Sequence, residues 1–129
     1  MFKEAYIAEQ FSKTPLVNFD SKSGIFELKG KSFPENPLKF YEPMFDWLDA
    51  YIQNPAPKTI LNVQLDYFDT GSCRCLFELF KKLEKISKSL KEEAIINWFY
   101  IIHDEDIRDS GEDFKSLIEI PFNILLLKN

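Results

Sequence analysis

The stretch Leu61-Asn62-Val63-Gln64-Leu65-Asp66-Tyr67-Phe68-Asp69-Thr70-Gly71-Ser72 decides how the chain is read. Its first half alternates. Leu61, Val63, Leu65 and Tyr67 are separated by Asn62, Gln64 and Asp66, and a period of two predicts a strand with one face buried and the other partly wet. The period then changes. From about Ser72 to Leu90, the residues Leu76, Leu79, Phe80, Leu83 and Ile86 recur at three- and four-residue spacing, the buried stripe of an amphipathic helix. The strand therefore stops at Phe68 and the helix starts near Thr70, which leaves the hydroxyls of Thr70 and Ser72 on an exposed turn. A helix N-terminus carries unpaired N–H groups and partial positive charge, so such a turn suits an anion such as a phosphoryl group. On pattern alone Thr70 has two readings. It is a helix cap whose hydroxyl accepts a backbone hydrogen bond, worth about 1 kcal/mol, or it is a phosphoryl acceptor. Ser72 is read as a cap and as the second-choice acceptor.

Upstream, Leu16-Val17-Asn18-Phe19-Asp20 and Ile25-Phe26-Glu27-Leu28-Lys29 read as two strands joined by the turn Ser21-Lys22-Ser23-Gly24. Gly30-Lys31-Ser32 echoes a phosphate-binding loop, but that motif needs a glycine where Ile25 stands, and the match fails. Asn36 caps a helix with Pro37 at its first position. The helix carries Tyr41, Met44, Phe45, Trp47, Leu48, Tyr51 and Ile52 on its apolar side. Pro43 inside it predicts a kink or a separate first turn. Tyr41, Trp47 and Tyr51 have core spacing, although aromatic residues also serve as exposed anchors for partners. Downstream, Ala94 to Ile102 is a nearly continuous apolar strand, read as central. His103-Asp104-Glu105-Asp106 is an acidic loop, a third helix carries Ile107, Phe114, Leu117 and Ile118, and Phe122 to Leu127 forms the last strand. The first 13 residues hold Tyr6, Ile7 and Phe11 without clear period and are read as an arm or a short strand. One α/β domain over 1–129 is expected: a mixed, mostly parallel sheet with an N-terminal hairpin and about three helices on one face. That is the layout of STAS-like, anti-anti-sigma-type domains.

Composition narrows the function classes. A net charge of −5 argues against nucleic-acid or anionic-membrane binding, which need a basic face. The lysines at 81, 82, 85, 88 and 91 interleave with Glu78, Glu84, Glu92 and Glu93, as on a solvated helix face. No run approaches the roughly 20 apolar residues of a membrane span, and the first residues lack the apolar core of a signal peptide. Cys73 and Cys75 lie two apart on a helix, where side chains diverge. They are poor disulfide partners and too few for a structural zinc site. A reducing, cytoplasmic setting fits. Both read as small packing residues, and a place near the helix start would lower the Cys73 thiol pKa, as in a redox sensor.

Several stretches together resemble one family. They are Thr14-Pro15 before Phe19-Asp20, Phe33-Pro34-Glu35-Asn36, Phe40-Tyr41 with Pro43, Trp47-Leu48 with Tyr51, and Tyr67-Phe68-Asp69-Thr70-Gly71-Ser72. Trp98-Phe99-Tyr100 and Asp104-Glu105-Asp106 before Gly111-Glu112-Asp113-Phe114 complete the set. From about residue 14 onward the chain resembles the SiaC-type regulatory phosphoproteins of bacteria. The resemblance implies a STAS-like fold without catalysis or cofactor, and a phosphothreonine at the start of the helix after the central strand, here Thr70. It also implies three partners: a serine/threonine kinase, a PP2C-type phosphatase, and a diguanylate cyclase that the unmodified form binds and activates, raising cyclic di-GMP. Asp69-Thr70-Gly71-Ser72 stands where the family often has Asn-Thr-Ser-Ser, which keeps the acceptor and changes what a kinase reads. Asp66, Asp69, Gly71, Ser72, Asp104 and Asp106 are the candidate partner-binding residues around it. The alternatives are a metal-dependent enzyme using Asp104 and Asp106 with His103, the chain's one histidine, or an unregulated scaffold. Asp104 and Asp106 also fit a plainer role as helix-start residues, and no metal site is assigned.

Overall fold

A computed structural model describes residues 2–90 and 92–128. Among them, β1 (Ala5–Ala8), β2 (Leu16–Asp20) and β3 (Ile25–Ser32) are followed by α1 (Pro37–Ile52), β4 (Lys58–Phe68) and α2 (Thr70–Leu90). β5 (Glu93–Tyr100), α3 (Glu105–Leu117) and β6 (Phe122–Leu126) complete the chain. The six strands form one sheet in sequence order. β1, β2 and β3 pair antiparallel, and β3 through β6 pair parallel. Right-handed crossovers that all advance the same way put their three helices on one face. The mixed sheet with a leading hairpin is the expected architecture, and the N-terminal arm contributes the edge strand β1. Lys91 of the basic helix face lies outside the described residues.

The register shows why one face is covered. Phe19, Phe26, Leu61, Ile96 and Phe122 are successive partners across five strands, and all are buried. One position along, Asn18, Glu27, Asn62, Asn97 and Asn123 form the matching row on the other face. Asn97 Nδ2 donates to Asn62 Oδ1 at 2.9 Å, and Asn123 Nδ2 donates to Asn97 Oδ1 at 3.0 Å. Amides that satisfy one another need no covering layer.

Under the helices the core has two aromatic clusters. Phe19, Phe26, Trp47 and Tyr51 pack with ring centroids 4.6 to 6.1 Å apart, and Phe80, Trp98, Phe114 and Phe122 form the second. Tyr41, Trp47 and Tyr51 are all buried; none is an exposed anchor. Asn36 Oδ1 caps α1 by accepting from the Lys39 amide, as its sequence position implies. α1 is assigned as one helix through Pro43, which lies on the exposed side, so the missing Pro43 donor costs the Lys39 carbonyl its helical bond without ending the helix. Leu117, expected on the buried stripe of α3, is 59% exposed; α3 ends there, and Ile118 turns inward instead.

Two packing points carry sharp expectations. Gly111 of α3 lies so close to the Trp98 indole that an added Cβ would sit 2.5 Å from Trp98 Cδ1, while Trp98 Nε1 donates to the Ile107 carbonyl at 2.8 Å. Gly111→Ala should therefore cost about 1–3 kcal/mol as an overpacked site, although alanine is the better helix former. Urea denaturation checks this, and a neutral result would mean that α3 slides freely on the sheet. Glu84 is 2% exposed, pairs with Lys81 at 2.7 Å and accepts from the Glu119 amide at 2.6 Å. Glu84→Ala leaves that amide without its partner and should cost about 1–3 kcal/mol, with Glu84→Gln losing less in the same titration.

Candidate functional site

The site is built by an extra residue. Gly30 pairs with Leu65, but Lys31 pairs with Tyr67 and Ser32 with Phe68, so Asp66 is the additional residue of a β-bulge. A bulge shifts every later side chain to the other face of its strand. Tyr67, expected to point into the core with Leu65, is 50% exposed and packs its ring edge against Phe33 at 5.7 Å. Phe68 turns inward instead, with its ring 5.9 Å from Trp98 and 6.1 Å from Phe114.

The helix cap is neither Thr70 nor Ser72. Asp69 Oδ1 accepts from the Ser72 amide at 2.8 Å, and the Asp69 carbonyl accepts from the Cys73 amide at 2.9 Å. A carboxylate here satisfies an otherwise unpaired helix amide and opposes the helix dipole. Ser72 has no exposed surface. Its hydroxyl is hydrogen-bonded to Ser32 Oγ at 2.7 Å, and Ser32 Oγ to the Tyr41 hydroxyl at 2.6 Å. Burial pushes the Tyr41 phenol well above its ordinary pKa, and hydrogen bonds from Ser32 and Ser72 only partly offset this. This chain ties the first turn of α2 to the end of β3 and to α1. The backbone adds a bond from the Asp69 amide to the Ser32 carbonyl at 3.1 Å.

Thr70 is exposed at the first helical position. Gly71 lies half-buried against α1, where an added Cβ would come 2.7 Å from Pro37 Cγ. Asp66, exposed, and Asp104, half-buried, line one narrow cleft with Tyr100 and Ile107. The cleft is separate from Thr70. Asp104 Oδ1 caps α3 through the Ile107 amide at 3.1 Å. Asp106 is exposed on the first turn of α3 and has no described hydrogen bond or ion pair with these residues.

His103 is exposed and adopts φ 72°, a left-handed conformation that serves the turn into α3. Among the described residues no three His, Cys, Asp or Glu side chains are grouped to hold a metal ion. Cys73 is half-buried and Cys75 buried, and burial pushes both thiols up, with Asp113 raising Cys73 further. The Cys73 thiol is thus raised by burial and by Asp113, opposite in direction to the lowering expected from its helix position. No described helix is long and apolar enough to cross a membrane.

Sequence reasoning missed an apolar groove between α2 and α3, lined by Phe68, Cys73, Phe77, Phe114 and Leu117 and enclosing about 330 Å³. Its signal was Phe77, which with Cys73 four residues before it lies off the main stripe of α2.

The SiaC family regulatory phosphoprotein profile matches residues 8–127. The chain belongs to that family. An uncharacterized protein of Pseudomonas aeruginosa (strain UCBPP-PA14) is 23% identical over 111 residues, covering 86% of this chain and 87% of that protein. The crystal structure of apo-SiaC from Pseudomonas aeruginosa superposes with a TM-score of 0.85 at 20% identity, over 95% of this chain and 98% of that one. SiaC in the crystal structure of the diguanylate cyclase SiaD with its activator SiaC, from the same organism, gives 0.88 at 21% identity, over 95% and 99%. At these identities the likeness establishes the fold.

Gly71 offers a test of how tightly this turn is held. Exposed helical Gly→Ala changes ordinarily gain up to about 1 kcal/mol, but Gly71→Ala meets the Pro37 ring. We expect a net loss of stability in thermal denaturation. A gain would mean that α1 and α2 are loosely joined.

Proposed function

We propose that this chain is a non-catalytic phosphorylation switch with Thr70 as the accepting residue. One observation carries the reading. Thr70 is the exposed hydroxyl of a turn whose other polar side chains are engaged, Asp69 by the Ser72 amide and Ser72 by Ser32. A kinase can reach Thr70 without disturbing the fold. Ser72 becomes reachable only if the first turn of α2 opens.

In this reading a serine/threonine kinase transfers a phosphoryl to Thr70 Oγ1 and a PP2C-type phosphatase hydrolyses it. The unmodified chain binds and activates a diguanylate cyclase in the cytoplasm. Support comes from membership of a family of regulatory phosphoproteins and from the relative described as the activator of SiaD. Phosphorylation adds about −1.5 to −2 charge at neutral pH to a chain already at −5. Beside Asp69 that charge repels an acidic partner and imposes a desolvation cost on an apolar one.

Mass spectrometry of protein from the native host should map a phosphoryl to Thr70, lost on treatment with a PP2C-type phosphatase. Capture of the cyclase should survive Thr70→Ala and fall about tenfold or more on phosphorylation, as expected when a charge enters a desolvated contact. A phosphoryl found on Ser72 alone, or equal capture by both forms, would overturn the assignment.

A further inference from the structure

The two edges of the sheet meet solvent differently. β1 is a four-residue strand with Glu4 before it and Glu9 after it, and charge of this kind keeps an edge from pairing with another chain. β6 has no such guard. From Ile120 to Leu127 the sequence carries no charge, and the strand pairs with β5 without a bulge. Among the described residues nothing pairs with its outer side. Leu125 and Leu126 are exposed there, and Ile102, 64% exposed, lines a shallow pocket with Leu126. An apolar edge left open in this way is a template for another strand.

The backbone shows which groups are free. The Ile96 amide donates to the Pro121 carbonyl at 3.0 Å, and the Leu127 amide donates to the Tyr100 carbonyl at 2.7 Å. Residues 121 and 127 therefore aim their backbone groups at β5. Successive residues of a parallel strand turn alternately toward and away from a given neighbour, so Phe122, Ile124 and Leu126 aim their N–H and C=O groups outward. Pro121 does not blunt this edge, because the N–H that it lacks belongs on the β5 side.

We propose that β6 pairs with β6 of a second copy of this chain, antiparallel about a two-fold axis at Ile124, joining two six-stranded sheets into one. This register sets Ile124 opposite its own counterpart and Phe122 opposite Leu126 of the second copy. All three residues face outward, so each opposed pair exchanges two hydrogen bonds and every free group of the strand finds a partner. Any strand could match the backbone; the ends of β6 favour a second copy. Glu119 precedes the strand and Lys128 follows it. In the antiparallel register each Lys128 falls opposite Ile120 of the other copy, next to its Glu119, so that unlike charges meet at both ends. Glu119 already holds Lys88 at 2.6 Å, and a carboxylate has acceptor sites for a second cation.

The pairing does not depend on the phospho-switch reading and leaves its turn open. Thr70 follows β4, two strands in from this edge, about 10 Å away at ordinary strand spacing. Because β6 runs antiparallel to its copy, the sheet ends that carry the two Thr70 turns point in opposite directions. The dimer thus presents two separate switches. Pairing also uses up the edge that drives it, so the assembly closes at two copies.

Sedimentation of the purified chain across a dilution series should show a species of twice the 15.2 kDa chain mass that dissociates on dilution. Hydrogen exchange read by NMR should slow at the Phe122, Ile124 and Leu126 amides as concentration rises, while the Ile7 amide on the other edge keeps its rate. Leu126→Lys should raise the dissociation constant about tenfold or more, because the two-fold axis makes one substitution act twice. Ile7→Lys, on the opposite edge, should leave it unchanged. The exchange measurement uses the parent chain, so it decides the edge even where a variant is unstable. A single chain at every concentration overturns the proposal. So does a dimer whose newly protected amides lie elsewhere, one that Leu126→Lys leaves intact or Ile7→Lys weakens, or an assembly that grows past two copies.

Discussion

The hydrogen bond between Ser32 and Ser72 joins residues 40 apart in sequence at 2.7 Å in a fully buried place. The candidate site depends on it. A single hydroxyl pair contributes only about 0.5–1.5 kcal/mol net, but an unpaired buried hydroxyl costs about 1–3 kcal/mol, so the pair strongly specifies where the helix start must sit. The Tyr41 hydroxyl continues the chain into α1, and the Asp69 amide repeats the link to Ser32 through the backbone. Three elements thus converge under one turn. Thr70 stands on a platform with little slack, and any group added there must be accommodated by whatever approaches from outside.

The bulge at Asp66 is what allows that platform. Had β4 kept its alternation, Tyr67 would enter the core and Phe68 would leave it. The extra residue instead sends Phe68 between Trp98 and Phe114. That contact belongs to the same cluster that forces glycine at position 111, where the indole approaches α3. Core packing, helix placement and the outward hydroxyl are therefore consequences of one shift in register.

Much of this fold is legible in the sequence because its elements are strongly periodic. The strand alternation around Leu61 and the stripe from Leu76 to Ile86 each bury one face, and the sheet order follows from helices lying between strands. Asn36 and Pro37 announce their helix because capping is local chemistry. What the sequence hides depends on partners far away along the chain. The inward turn of Phe68 follows from a register shift against β3, and alternation alone points the wrong way. Ser72 and Asp69 are both good cap residues, and only the hydroxyl of Ser32, waiting in the core, decides between them. The Cys73 thiol is raised because neighbouring helices dry it, an effect that its place near a helix start does not reveal. Leu117 keeps the spacing of a buried residue but falls where α3 runs out of sheet to cover.

These constraints also select which hydroxyl a regulatory charge can occupy. At the first position of α2 a dianion meets solvent and the positive end of a helix dipole, a setting that stabilises it by about 0.3–1 kcal/mol rather than straining the fold. Two residues on, at Ser72, the same group would enter a dry space already filled by three hydroxyls, with no cation among its described partners. The desolvation cost there would break the link between α2 and β3 before any partner was affected. A switch must change what the surface offers while leaving the scaffold intact. On this turn the exposed threonine meets that condition and the buried serine does not.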